Sequence, residues 1–478
     1  MEEQRNENTR PVNPRRRKRS QAQIFKEAYL PVIIAAIAAI LVLVFIIGAI
    51  SRSVQKNKAE KEASIAASES IATEEARLEA QAETLLAQAA PFASAYEYDM
   101  ALSILNTFEG DISKFPALSA KITEYSTAKA SLIAWTDPSK IINLSFHLLM
   151  ADPERAFNHD EYGSAFNRNY VTTSECEKIL QQLYDNGYML VSLDDIVTPV
   201  TTQSGATAYK AKTLYLPEGK KPIMLTQTNV NYNIYMVDGD GDKLPDKDGA
   251  GFASKMILDG NGNVTCEMVD STGATVTGAF DLVPILDAFV AKHPDFSYNG
   301  AKATLALTGY NGLFGHRTYS GAEDDFGEDA YNNAVTEATK IAAALRNNGY
   351  NLACYTYENV PYGEYSANML KNDLNQWVRE CLPILGSVDT MVFAQESDIA
   401  GSGDYSGDKY DALKEAGLRY YLGFCSNGTP WATVGADHFR QGRILVSGYN
   451  MTHHAEWFTD LFDPAQVLDT EVRGQIPS

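Results

Sequence analysis

From Pro138 onward the chain alternates short, continuously apolar runs with amphipathic stretches, and few architectures accept that pattern. The strand candidates are residues 141–150, 188–193, 221–227, 303–309, 351–357, 389–395, 419–425 and 443–449, and the helix candidates are 173–187, 281–293, 330–348, 365–384 and 407–417. "LYDNGY" and "LRNNGY" place Gly187 and Gly349 where a helix ends and a strand begins. Strands apolar along their whole length are buried on both faces, which predicts an α/β parallel sheet or barrel. Ligands of such folds sit at the C-terminal strand ends. In "KPIMLTQTNVNY" (221–232) the apolar Ile223-Met224-Leu225 leads into Thr226-Gln227-Thr228-Asn229, so a buried strand delivers polar side chains to such an end.

The first 137 residues read differently. Net charge is −21 overall, yet residues 1–30 carry eight Arg or Lys against four Glu, including "RRRKR" at Arg15–Arg19. Residues 31–50, "PVIIAAIAAILVLVFIIGAI", contain no charge. Roughly 20 such residues span the ~30 Å hydrocarbon core as a helix. The basic block before them predicts a single-pass cell-membrane protein with residues 1–30 cytoplasmic and everything after residue 50 outside. The apolar run is longer than a typical signal-peptide core. Residues 51–90, rich in Ala, Glu and Lys, predict a helical stalk. Residues 91–137 show two helical pieces, expected as a hairpin that packs as a collar on the domain at 138–478 or engages a protein partner.

Five cysteines, Cys176, Cys266, Cys354, Cys381 and Cys425, are widely spaced and odd in number, which is no disulfide framework. An acidic body without a P-loop or a strand-linked GxGxxG speaks against nucleotide and nucleic-acid partners.

Taken in order, residues 140–470 resemble the polysaccharide deacetylase (NodB-homology) family, in its membrane-anchored Gram-positive form. "LSFHLLM" looks like the family's first strand, "CEKILQQLYDNGYMLVSLDDI" like its first helix and second strand, and "KPIMLTQTNVNY" like the strand bearing its Asp-Asp motif. "EATKIAAALRNNGYNLACYTYENVPYG" looks like the helix and strand leading to its His-x-x-x-His motif, and "FRQGRILVSGYNM" like its last strand. The resemblance implies a distorted (β/α) barrel and cell-wall glycan as substrate. It also implies a divalent metal, often zinc, held by one Asp and two His beside an Asp base. On this alignment the Asp pair falls on Thr228 and Asn229 and the His pair on Tyr355 and Asn359. Zinc is therefore not expected at the family site, and the chain reads as a deacetylase-like protein without metal catalysis.

Other residues offer a rebuilt site. His147 on the first strand, His453 and His454 with Tyr449 after the last strand, and Glu396 with Asp398 after another strand are candidates for the cleft. Tyr232, Tyr310, Tyr357, Tyr362 and Tyr449 are candidates for stacking on sugar rings. In "DGDGDKLPDKDGAG", Asp238, Asp240, Asp242, Asp246 and Asp248 place hard oxygens at alternating positions, a weak calcium pattern that lacks the EF-hand glycine and glutamate. Three functions remain open: a glycan-binding deacetylase-like protein, an active deacetylase with a non-family metal site, and an envelope scaffold for a protein partner.

Overall fold

The computed structural model describes residues 66–476 apart from residues 160 and 402. The basic tail and the apolar run at 31–50 lie outside the described residues, as does the stalk before residue 66. Among the described residues no helix is long and apolar enough to cross a membrane.

The α/β domain is a closed barrel of seven parallel strands flanked by helices, one of the two architectures the alternation allowed and the one the family resemblance implied. The seven ring strands and the short β2 outside the ring are, in chain order, β1 (Ile142–Phe146), β2 (Tyr188–Leu190), β3 (Lys221–Thr228), β4 (Thr304–Leu307), β5 (Asn351–Cys354), β6 (Thr390–Val392), β7 (Tyr420–Phe424) and β8 (Phe439–Leu445). Around the ring they run β4, β5, β6, β7, β8, β1, β3. Closure comes from β3, which pairs with β4 in the register Thr226↔Thr304 and Thr228↔Ala306. The short β2 pairs only with the N-terminal half of β3.

Period-two alternation sorts the strand residues into two layers. Leu144, Phe146, Leu225, Leu305, Leu352 and Met391 belong to the large outer core. It also takes in Ile179 and Leu183 of α4 (Thr173–Asp185), Leu286 of α5 (Leu282–Lys292), Leu345 of α6 (Glu328–Asn347), Trp377 of α7 (Ala367–Glu380) and Leu413 of α8 (Asp408–Glu415). Met224, Ala306, Ala353, Val392, Leu422 and Phe439 belong to a separate inner core. The inner layer also carries polar residues that satisfy one another. Thr226 donates to Asn143 Oδ1 (2.9 Å), Asn143 Nδ2 to Gln441 Oε1 (3.2 Å) and Gln441 Nε2 to the Ile141 carbonyl (2.9 Å), all three side chains fully buried.

Three sequence expectations need correction. The first strand ends at Phe146, so His147 to Met150 leave the barrel as a loop. The last strand lies earlier, at Phe439–Leu445, and the expected strand end at 448–449 opens α9 (Gly448–His453), where the Ser447 hydroxyl caps the Asn450 amide at 3.1 Å. The boundary expected between residues 90 and 91 falls inside one helix, α1 (Ala66–Ser94). It packs with α2 (Tyr98–Leu105) and α3 (Pro116–Ala130) around Leu85, Ala89, Leu105, Leu118 and Tyr125. A three-stranded antiparallel meander at 255–258, 264–269 and 275–278 was not anticipated. All five cysteines are free and buried.

Candidate functional site

The C-terminal ends of β3, β5 and β6 carry unusual backbone. Asn229, Tyr232, Thr356, Asn359, Gln395 and Glu396 all have positive φ, between 48° and 62°. Outside glycine such conformations are uncommon, and a β-branched Thr356 there is an outlier. Strain of this kind concentrates where a fold aims side chains at a ligand.

The side chains at these ends form one connected group. His147 Nδ1 lies 2.7 Å from Thr228 Oγ1, and Thr228 donates to the Phe146 carbonyl at 3.2 Å. With that proton committed, His147 donates through Nδ1 and keeps Nε2 as its lone pair. Thr228 also hydrogen-bonds Tyr355. Burial, and after it the charge of Arg443, pushes the His147 pKa down to about 4, so the imidazole is neutral at pH 7. Burial pushes the Tyr355 phenol up, so it stays protonated. Beneath them, Arg443 is 5% exposed and donates to Ser145 Oγ (2.8 Å), the Gly423 carbonyl (3.1 Å) and the Phe393 carbonyl (3.1 Å).

Strand β4 lies between β3 and β5, so the nearest neighbours of Asn229 come from the β4 end. Thr308 donates to Asn229 Oδ1 at 3.1 Å, and Asn229 hydrogen-bonds the Tyr310 hydroxyl. Asn359 sits further out, its carbonyl accepting from Gln395 Nε2 at 2.6 Å and its buried Oδ1 without a partner. Tyrosines surround this group. The Tyr170 ring is 5.2 Å from His147, and Tyr170 hydrogen-bonds Tyr235, which is 37% exposed.

This donor set does not fit the metal that the family resemblance implies. Thr228, Asn229, Thr308, Tyr310, Tyr355 and Asn359 supply hydroxyls and amides, the one imidazole already spends Nδ1 on Thr228, and a buried guanidinium adds positive charge where a dication would sit. Divalent transition metals need ionised or imidazole ligands in number. Among the described residues the acidic or His/Cys side chains that converge closely enough for a metal are Asp238, Asp240 and Asp246, in the exposed loop. Their carboxylates already accept backbone amides, Asp238 from Gly241 (2.7 Å) and Lys243 (2.8 Å), Asp246 from Gly239 (2.9 Å) and Asp248 (2.7 Å). Asp242 and Asp248 are not part of that group.

The other candidates disperse. Burial raises the Glu396 carboxyl and the Arg443 charge opposes it, placing Glu396 within electrostatic range of the group. Asp398 is taken by Arg440 (3.0 Å) and Tyr405 (2.6 Å), away from Glu396 chemistry. Tyr449 stacks under Arg168 at 3.9 Å and against His453 at 4.6 Å, while His454 stacks on Trp457 at 4.3 Å. No contact of His453 or His454 among the described residues reaches His147. Of the tyrosines expected to hold sugar, Tyr232, Tyr357 and Tyr362 are core residues whose hydroxyls bond Asp281, Glu380 and Asp373. Tyr310 does reach the mouth. Arg443, Tyr170, Tyr235 and Thr308 were missed. The one available signal was Arg443, a lone charge inside the apolar "GRILVSG".

No family model matches the chain, and no curated protein matches it. Among solved structures it is similar to deacetylase PplD of Streptococcus pyogenes, solved in complex with acetate, with 13% identity over 66% of this chain and 96% of that one and a TM-score of 0.34. It is also similar to BA0330 of Bacillus anthracis, assigned as a polysaccharide deacetylase, with 11% identity over 68% of this chain and 69% of that one and a TM-score of 0.35.

Proposed function

We propose that this chain is a membrane-anchored, cell-surface polysaccharide deacetylase-like protein that binds or organises cell-wall glycan without metal catalysis. The carrying observation is the barrel mouth. His147, Thr228 and Tyr355 converge there as neutral groups above a buried Arg443, which supports recognition of a hydrogen-bonding ligand rather than activation of water on a metal. The partly exposed Tyr170, Tyr235 and Tyr310 offer faces to sugar rings. The charge pattern around residues 31–50 supports the anchoring.

The test is co-sedimentation of the purified chain with cell-wall glycan, run beside elemental analysis and an acetate-release assay on N-acetylated glycan. Retention on glycan with no stoichiometric zinc and no acetate is expected. Acetate release that a chelator abolishes would overturn the non-metal reading, and failure to sediment would overturn the glycan-binding one.

A further inference from the structure

The Arg443 guanidinium has five N–H donors and three neutral acceptors, Ser145 Oγ, the Gly423 carbonyl and the Phe393 carbonyl. Among the described residues no carboxylate lies within ion-pair distance of it. Two other buried arginines are treated differently. Arg473 meets Glu175 at 2.6 Å, and Arg440 meets Asp398 at 3.0 Å. A buried charge without a counter-ion is expensive. His147 is neutral and Tyr355 protonated, and Glu396, exposed at the rim, acts on Arg443 only from beyond ion-pair distance.

A second guanidinium adds to the same field. Arg317 donates through Nη1 to the carbonyls of Tyr232 (3.0 Å) and Asn311 (3.1 Å), its Nη2 is buried without a partner, and its charge acts on Tyr310. The missing partner at this end of the barrel is therefore an anion.

We propose that the barrel mouth binds a carboxylate, with the Arg443 guanidinium as its fixed positive charge. A planar carboxylate matches the guanidinium fork, and the bond between them is charge-assisted. This deepens the glycan reading on which it rests: the carboxylate belongs to an acidic sugar whose ring lies against Tyr170, Tyr235 and Tyr310. Glu396 is the residue of this chain that competes with it.

The test titrates the full chain with glucuronate, acetate and glucose, following heat of binding and melting temperature. Saturable binding of glucuronate and none of glucose is expected. Arg443→Gln should weaken glucuronate about tenfold to a hundredfold, the range of a lost charge-assisted hydrogen bond, and Glu396→Gln should tighten it. Equal binding of glucose and glucuronate, or an Arg443→Gln variant that binds glucuronate as wild type does, overturns the proposal. Acetate binding as tight as glucuronate supports the carboxylate site and assigns it to free carboxylates rather than sugars. Should Arg443→Gln fail to fold, a wild-type crystal soaked in glucuronate decides. A carboxylate on the guanidinium supports the site, and one bound only elsewhere refutes it. Carboxylate binding without retention on wall glycan would sink the glycan reading and leave the anion site standing. Retention of neutral and acidic glycan alike, unchanged by Arg443→Gln, would do the reverse.

Discussion

His147 and Thr228 join the ends of two adjacent parallel strands, Nδ1 to Oγ1 at 2.7 Å, directly where a barrel of this kind presents its ligand site. That bond fixes Nδ1 as the nitrogen that carries the proton, while burial and the nearby Arg443 charge keep the ring neutral.

A pH dependence follows. The folded His147 pKa is depressed to about 4, below an unfolded value near 6.5. The unfolded chain therefore takes up a proton that the folded one refuses. The stabilisation is fully present above about pH 6.5 and drains away as pH falls toward 4. Denaturant midpoints at pH 7 and pH 4.5 should differ more in wild type than in His147→Gln. Equal pH slopes in the two proteins would show that His147 titrates normally.

Arg473 ties the C-terminal tail to the start of α4. It bonds both Glu175 oxygens (2.6 and 2.7 Å), the Asn167 carbonyl (2.7 Å) and the Tyr170 carbonyl (2.7 Å), and Glu175 is fully buried. Removing one side of a buried pair strands the other charge and costs about 3–5 kcal/mol. Arg473→Ala should lose that much in chemical denaturation, and the double variant with Glu175→Gln should lose less than the sum of the two. Strict additivity would show that the pair is not coupled.

Gly349 and Gly205 both have positive φ, 88° and 79°, yet differ in surroundings. A Cβ at Gly349 would collide with the Gly300 carbonyl, while one at Gly205 meets nothing. Alanine at Gly205 should cost about 1 kcal/mol of conformational strain, and at Gly349 distinctly more, up to about 3 kcal/mol. Urea midpoints of the two variants compare them directly, and equal losses would mean that the α6 end yields to the methyl group.

Orientation in the membrane is open to a direct check. With "RRRKR" cytoplasmic, protease added to intact cells should remove the barrel and spare a short N-terminal fragment. A fully protected barrel would place it on the other side.

The sequence alone determined a parallel α/β sheet or barrel, because only strands buried on both faces can be apolar along their length while amphipathic helices cover them. It also determined that Thr228, Asn229, Tyr355 and Asn359 bring no ionised ligand, since that is a property of residue type. The antiparallel meander escaped notice although "VTCEMV" alternates buried and half-buried positions, because six residues of alternation between turns are weak beside the long parallel runs. What only the tertiary structure decided is adjacency. Period two divides each strand into two faces, but ring closure sets which face turns inward and which strand ends touch. Closure put β4 between β3 and β5, so Asn229 meets Thr308 and Tyr310. It turned Arg443 of β8 inward beneath His147 of the β1 end, nearly 300 residues away in the chain. It carried Tyr232, Tyr357 and Tyr362 into the core and left Tyr170 and Tyr235 at the mouth. No local pattern encodes those neighbours, because they exist only once β3 has paired with β4 and closed the ring.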